Sequence, residues 1–498
     1  MSTDLETVIG LECHVELDTD TKMFCGCRNE FGGEPNTNVC PICLGHPGTL
    51  PVPNEKAIDY IIRIGLALGC EIAPNSLFHR KNYFYPDMPK NFQISQYDLP
   101  ICVNGHLGIE AEGELRTIGI TRVHMEEDTG KTAHASVTGR IHDAAYALVD
   151  YNRAGVPLVE VVSEPDMRSA EEARAYLNEL RAALESLGVS DVRMEEGSLR
   201  CDANISVRPR GESELGVKVE IKNLNSVRSL FYALKFEEER QRKAVEAGEP
   251  LRQETRHWDE DSGVTSPLRS KEYAFDYRYF PEPDLPPLEP EGARIDLIRA
   301  DLPEMPAVRR ARFEKKLGVK PEAARVLMAT REWADFFEEA VKLGAEPSAA
   351  ANWLTQDVAG HLRETNKKLS RTDLTPQHLA DVVKSVNEGV LSTAGAKRVI
   401  HDLVSSTTAK PLTVASKASI PSVAVIIQRQ GLTQRSDRED LSALVDEVIA
   451  ENPEPVEQFK AGKEGVLGFL VGQAMKKTGG SANPKVAGDL LRERLSGG

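Results

Sequence analysis

The chain has 498 residues, with 61 lysines and arginines against 77 aspartates and glutamates, a net charge of −16 and eight cysteines. That length exceeds one compact core and, at roughly 150 residues per domain, predicts about three domains, while the acidic balance excludes nonspecific coating of nucleic acid and leaves room only for a local basic patch. No apolar run approaches bilayer-spanning length and the opening MSTDLETVIG has neither a basic leader nor an apolar signal core, so a cytoplasmic protein with no membrane partner is expected.

The first predicted element is a strand, GLECHVEL. It sets Glu12, His14 and Glu16 on one face and Leu11, Cys13, Val15 and Leu17 on the other. Alone, such alternation describes any half-solvated sheet. The next segment, FCGCRNEFGGEPNTNVCPICLGHPG, pairs Cys25 with Cys27 and Cys40 with Cys43 across twelve residues. Two thiolate pairs at short spacing, with Pro41 and Gly45 shaping the second turn, fit a closed structural zinc knuckle. Reduced, unliganded thiols are the competing reading, and His46 is an alternative ligand. Two aromatic stretches, RKNYFYPDMPKNFQISQ and FDYRYFPEPD, mix rings with Lys81, Lys90, Arg278, Asn82 and Asp87. They suit stacking on a base or sugar as well as they suit buried loop anchoring.

Three further strands repeat the opening pattern. TRVHMEED sets Arg122, His124 and Glu126 against Thr121, Val123 and Met125; LRCDANISV sets Arg200, Asp202, Asn204 and Ser206 against apolar neighbours; VKVEIKN does the same with Lys218, Glu220 and Lys222. Between them, Ser169 with Glu172 reads as a capping box. Leu177, Leu180, Leu184 and Leu187 form one apolar stripe and Gly188 is a stop, which predicts a helix over roughly 170–187. DTGKT at 128–132 is no phosphate loop, because Met125 stands where a glycine is required, and no Gly-x-Gly-x-x-Gly occurs. Any ATP is therefore held by the sheet and its metals.

Five prolines in 281–290 mark the first boundary and a polar stretch at 405–422 the second. The expected domains are 1–293, 294–410 and 411–498, the last two helical. From Glu457 onward seven basic residues outnumber four acidic ones. This permits RNA contact by the tail, although a solvated helix surface explains it nearly as well.

If the four strands share one antiparallel sheet, Glu12, His14, Glu126, Asp202 and Glu220 converge. Two bare carboxylates about 4 Å apart repel by roughly 4 kcal/mol at an effective dielectric near 20, so cations must compensate. Arg122, Arg200, Lys218 and Lys222 supply part; oxygen ligands with an imidazole also suit Mg²⁺ between carboxylates and nucleotide phosphates. No amidase signature and no Cys/His nucleophile pair is visible, so this polypeptide alone is not expected to release ammonia from glutamine.

Through ETVIGLECHVEL, RKNYFYPD, ITRVHMEEDTGK, NRAGVPLVEVVSEPD, MEEGSLRCDANIS, KNLNS, DYRYFPEPD and GFLVGQAMK, nearly end to end, the chain resembles the B subunits of bacterial tRNA-dependent Asp/Glu amidotransferases. The resemblance implies an α+β chain: a glutamine-synthetase-like antiparallel cradle, an α-helical domain and a YqeY-like tail that binds tRNA. It implies a ligase that forms a C–N bond with glutamine as amido donor. ATP would phosphorylate the side-chain carboxylate of Glu-tRNA(Gln) or Asp-tRNA(Asn), and ammonia from the A subunit would displace phosphate. A small C subunit would tie the heterotrimer together, and the matching aminoacyl-tRNA synthetase is a further expected partner. Carried over residue by residue, Glu12, His14, Glu126, Asp202 and Glu220, with Glu127 as a neighbour, would hold Mg²⁺, whereas the structural Zn²⁺ site at Cys25, Cys27, Cys40 and Cys43 rests on the spacing of the cysteines and is not common to the whole family. The alternative is a noncatalytic tRNA-docking scaffold, which has no need of four carboxylates on one surface.

Overall fold

The computed structural model describes residues 4–135, 145–268, 277–406, 420–434 and 437–496. The fold is α+β, and the chain divides into two compact units on either side of Ala307 and Val308. The strands of the first unit, in chain order, are β1 (Leu5–Glu16), β2 (Glu71–Ile72), β3 (His79–Asn82), β4 (Phe92–Ser95), β5 (Cys102–Ala111), β6 (Glu114–Glu127), β7 (Lys131–His134), β8 (Ala147–Asp150), β9 (Pro157–Ser163), β10 (Leu199–Pro209), β11 (Val219–Leu224), β12 (Glu254–Asp259), β13 (Val264–Pro267) and β14 (Phe280–Pro281). β7 and β8 form their own ribbon. The others make one sheet in the order β13, β12, β11, β10, β1, β9, β6, β4, β3, β14, with β5 on β6 and β2 on β5. Only β11 and β12 run parallel among the described pairs.

The apolar face of this sheet is the core of the unit. Leu11, Cys13 and Val15 of β1 are buried with Val123 and Met125 of β6 and with Cys201, Ala203 and Ile205 of β10. Helix α1 (Glu55–Ala67) covers part of it, and α2 (Ala170–Leu187) seats Leu177, Leu180 and Leu184, all essentially fully buried, in the same core. The predicted helix thus spans the expected residues. Ser169 Oγ accepts the Glu172 N–H at 3.1 Å, and Gly188 adopts the left-handed φ of 68° that glycine tolerates best. The return arm of the capping box differs: Glu172 accepts the N–H of Arg168, at 2.7 Å, instead of that of Ser169. Helix α3 (Val227–Glu246) packs beside α2 on the same face. The opposite face is left to the polar side chains.

The first unit extends past the expected end at 293. Helix α4 (Gly292–Ala300) is fastened to α1 by Arg294, which bonds Asp59 at 2.5 and 2.8 Å, and by Arg63, which donates to Asp301 at 2.7 Å. In the second unit, α5 (Pro306–Leu317), α6 (Pro321–Leu327), α7 (Arg331–Lys342), α8 (Pro347–Asn352), a π-helical turn (Trp353–Val358), α9 (Ala359–Thr365), α10 (Pro376–Asn387), α11 (Thr393–Ser405) and α12 (Val423–Gln430) share one apolar cluster. A separate cluster joins α13 (Arg438–Glu451), α14 (Pro453–Lys460), α15 (Val466–Lys477) and α16 (Pro484–Ser496). The second of these clusters begins at Leu441, Val423, Ile426 and Ile427 pack into the preceding one, and most of the stretch expected to hold the second boundary, 407–419, lies outside the described residues. Among the described residues no helix is long and apolar enough to cross a membrane.

Candidate functional site

The register of the central strands assembles the polar face. Glu12 lies opposite Asp202, His14 lies opposite both Arg200 and Glu160, Glu160 lies opposite His124, and Asn204 lies opposite Glu220. The expected residues are thus brought onto one surface, but they form two groups. In the first, His14, Glu126 and Glu160 can place one ligand atom each within 4.8 Å of one another. His124 Nε2 stands 3.1 Å from Glu126 and 3.2 Å from Glu160, and His14 Nε2 is 3.5 Å from Glu160. Burial opposes the charge on His124, yet the carboxylates of Glu160 and Glu126 raise it to about 9; His14 is raised against burial by the same neighbours. Glu160, although buried, is held well below its ordinary range by the two imidazoles. Lys81, whose ammonium lies 5.1 Å from the Tyr277 ring centre, is raised despite its burial, chiefly by Glu126.

The second group is Glu12, Asp202, Asn204 and Glu220. Lys222 bonds Asp202 at 2.6 Å and lies 3.5 Å from Glu220, which also accepts from Thr255 at 2.9 Å. Asn204 donates its amide to Glu12 at 2.9 Å, which leaves its own buried Oδ1 without a hydrogen-bond partner among the described residues. Among the described residues Glu12, Asp202 and Glu220 do not meet the spacing that His14, Glu126 and Glu160 do, and Lys222 supplies the positive charge between them. Farther along the face Glu16 is pushed up to about 8 by burial and then by Asp128, which Arg200 and Arg153 keep ionised against burial.

Two expectations need correction. Glu127 does not join its neighbour Glu126: consecutive strand residues point to opposite faces, and Glu127 pairs with Lys90 and accepts the Ile94 N–H at 2.8 Å on the other side. Lys218 lies exposed before β11 begins and compensates nothing on the face. Glu160 is the lone charge in the mostly apolar strand PLVEVVS, whose pattern gives no sign of a functional side chain. The DTGKT segment is occupied by contacts within the protein: Gly130 N–H donates to the Asp87 carbonyl at 2.8 Å, and Arg153 holds the Thr129 and Gly130 carbonyls.

A family model described as GatB/GatE catalytic domain matches residues 7–296, and one described as GatB domain matches 335–495. The sequence is 51% identical over 493 residues to the B subunit of the aspartyl/glutamyl-tRNA(Asn/Gln) amidotransferase of Carboxydothermus hydrogenoformans, covering 99% of each chain. The corresponding B subunits of Moorella thermoacetica (99% of this chain, 100% of that one) and of Picosynechococcus sp. (99% and 98%) are each 49% identical. The chain belongs to the amidotransferase B-subunit family. Every residue of the polar face, from Glu12 to Glu220, falls within the stretch matched by the catalytic-domain model.

In this member of the B-subunit family the four knuckle cysteines also come together, each offering a sulfur within 4.8 Å of the others, and none is in a disulfide. Cys43 accepts the Cys40 N–H at 3.1 Å and lies 3.8 Å from the Lys22 ammonium. Hydrogen bonding from Cys25 holds the Cys43 thiol down at about 5, with the Cys40 amide and Lys22 acting the same way, and Cys25 is raised in return. Four sulfurs at this spacing with donors aimed at one of them fit a thiolate-bound metal. His46 stands outside the group. Gly45, at φ 69°, has no room for a Cβ against Lys90, so the turn after Cys43 requires glycine. The two aromatic stretches meet through β3 and β14: Tyr97 stacks on Tyr279 at 4.3 Å, Tyr83 meets Tyr277 edge-on, and Arg80 grips Glu282 through two bonds.

Proposed function

We propose that this chain activates the side-chain carboxylate of a glutamate or aspartate carried on mischarged tRNA, Glu-tRNA(Gln) or Asp-tRNA(Asn), and amidates it, working with an A subunit that supplies ammonia from glutamine and with a C subunit. The observation that carries this reading is the two-group polar face, with His14, Glu126 and Glu160 beside Glu12, Asp202, Asn204 and Glu220. A carboxylate is a poor electrophile; transfer of the ATP γ-phosphoryl to it gives ammonia a leaving group to displace. His14, Glu126 and Glu160 would hold magnesium, which would supply charge neutralisation for the phosphoryl transfer.

The chain's own residues prepare that chemistry. Lys222 keeps Asp202 and Glu220 from repelling one another, and the half-buried Lys81, over the Tyr277 ring and within the electrostatic influence of Glu126, offers the incoming carboxylate an ammonium. A cavity of about 710 Å³ bordered by Glu16, Arg153, Arg200, Asp202 and Asn225 has the size and mixed charge to accept the nucleotide. The finer architecture that accompanies this reading is a glutamine-synthetase-like cradle, a structural zinc in the knuckle, and a YqeY-like tail whose basic residues meet tRNA. The matching synthetase would be a transient partner.

The test uses the reconstituted heterotrimer with ATP, mischarged tRNA and ammonium as donor, read by mass spectrometry of the aminoacyl-tRNA. Glu126→Gln and Asp202→Asn are expected to abolish amidation and spare tRNA binding. Amidation at the unaltered rate would leave only the tRNA-docking scaffold.

A further inference from the structure

Lys22 is among the most completely buried side chains of the chain, 1% exposed, and among the described residues no carboxylate lies within ion-pairing distance of it. Its ammonium instead donates to the Asn38 carbonyl at 2.9 Å and the Tyr151 carbonyl at 3.4 Å, and faces the Cys43 sulfur at 3.8 Å. A buried cation without a counter-ion is costly. The Cys43 sulfur is the anionic group that its ammonium contacts, while the Glu127 carboxylate, which borders Gly155 on the same side, is taken by Lys90. Four thiolates around a divalent ion leave two net negative charges, and N–H donors to the ligand sulfurs are the usual means of stabilising such a centre.

The contacts of Lys22 also run across to the sheet. Asn36 accepts the Tyr151 N–H at 2.8 Å, Asn38 N–H donates to Asn152 at 2.8 Å, and Met23 N–H donates to the Gly155 carbonyl at 2.7 Å. Residues 151–155 lead directly into β9, which carries Glu160. We propose that Lys22 is a positioning residue of the knuckle: its ammonium balances a metal-bound tetrathiolate through Cys43 and ties that centre to the Tyr151–Gly155 segment ahead of β9. The proposal rests on the zinc reading given above. It makes the knuckle a clasp on the strand behind the polar face rather than an appendage.

The experiment compares wild type with Lys22→Met and Lys22→Arg in the purified heterotrimer. Zinc content is read by elemental mass spectrometry, and zinc release by transfer to a chromogenic chelator. Lys22→Met is expected to release zinc roughly tenfold faster or more, and Lys22→Arg to recover most of the difference. With Co²⁺ in place of zinc, loss of the donor to Cys43 is expected to move the sulfur-to-metal charge-transfer band to lower energy, which a purely structural defect would not do. A second measurement needs no variant: stripping zinc from wild type is expected to speed hydrogen exchange at 151–156 while leaving 170–187 protected. Wild type without zinc would defeat the zinc reading, and the role of Lys22 with it. Zinc-loaded wild type with unaltered release and Co²⁺ spectrum in Lys22→Met, or unaltered exchange at 151–156 after stripping, would defeat the role of Lys22 alone.

Discussion

At the scale of single residues, the polar face is an electrostatic arrangement in which each cation has a task. Lys222 is the cation that holds Asp202 and Glu220 together, and its side chain is 38% exposed. Lys222→Met is expected to destabilise the first unit by about 1–2 kcal/mol without added metal, less than for a wholly buried pair because water screens this one. Millimolar Mg²⁺ should return part of that loss, as read by denaturant titration with and without the ion. Much of this face was legible from alternation alone: Glu12, His14, Glu126, Asp202 and Glu220 all lie where period-two patterning puts them. Glu160 was not, because β9 is apolar on both faces and offers no alternation to read. A lone carboxylate in a buried apolar run is itself a signal, since such a charge persists only with partners. Including Glu127 with Glu126 ran against that same period.

At the scale of elements, caps rather than stripes explain the differences between expectation and structure. In α10 the Thr375 side chain accepts the His378 N–H, and the His378 ring nitrogen accepts the Thr375 N–H at 3.3 Å, so the box is closed by a neutral imidazole. Burial lowers the His378 pKa from its ordinary 6.5. Since the folded value lies below the unfolded one, the stability that this group contributes is complete above about pH 6.5 and is lost as pH falls through the folded value. Thermal melts between pH 7 and pH 5 should therefore show a falling midpoint for the second unit. His378→Gln, which keeps an acceptor and cannot titrate, should flatten the slope. Sequence reading found this region helical but did not find the box, because histidine is not a usual third residue of one. The first expected boundary lies at the prolines of 281–290. Those prolines do break the regular structure, but α4 returns to α1 through Arg294 and Arg63, long-range ion pairs that no local pattern reveals.

At the scale of the whole molecule, two compact units with separate apolar clusters should not melt as one. Calorimetry of the full chain is expected to show at least two transitions. Leu180→Ala, in the fully buried stripe of α2, should cost about 2–5 kcal/mol and move only the transition of the first unit. A shift of every transition together would show one cooperative block instead. The alternating strands of the first half and the helical character of the second were open to the sequence because periodicity is local, whereas the α+β class came with the family resemblance. Strand order was not. That order is what places Glu160 of β9 between His14 of β1 and His124 of β6, and it makes one site out of segments spread over two hundred residues.

The most direct measurement is the Mg²⁺ dependence of ammonium-supported amidation by the heterotrimer carrying Glu160→Gln. If the face binds the ion that activates the carboxylate, the Mg²⁺ requirement should rise roughly 10–100-fold and the rate should fall, with tRNA affinity unaltered. The same rate at the same Mg²⁺ concentration as wild type would contradict the account.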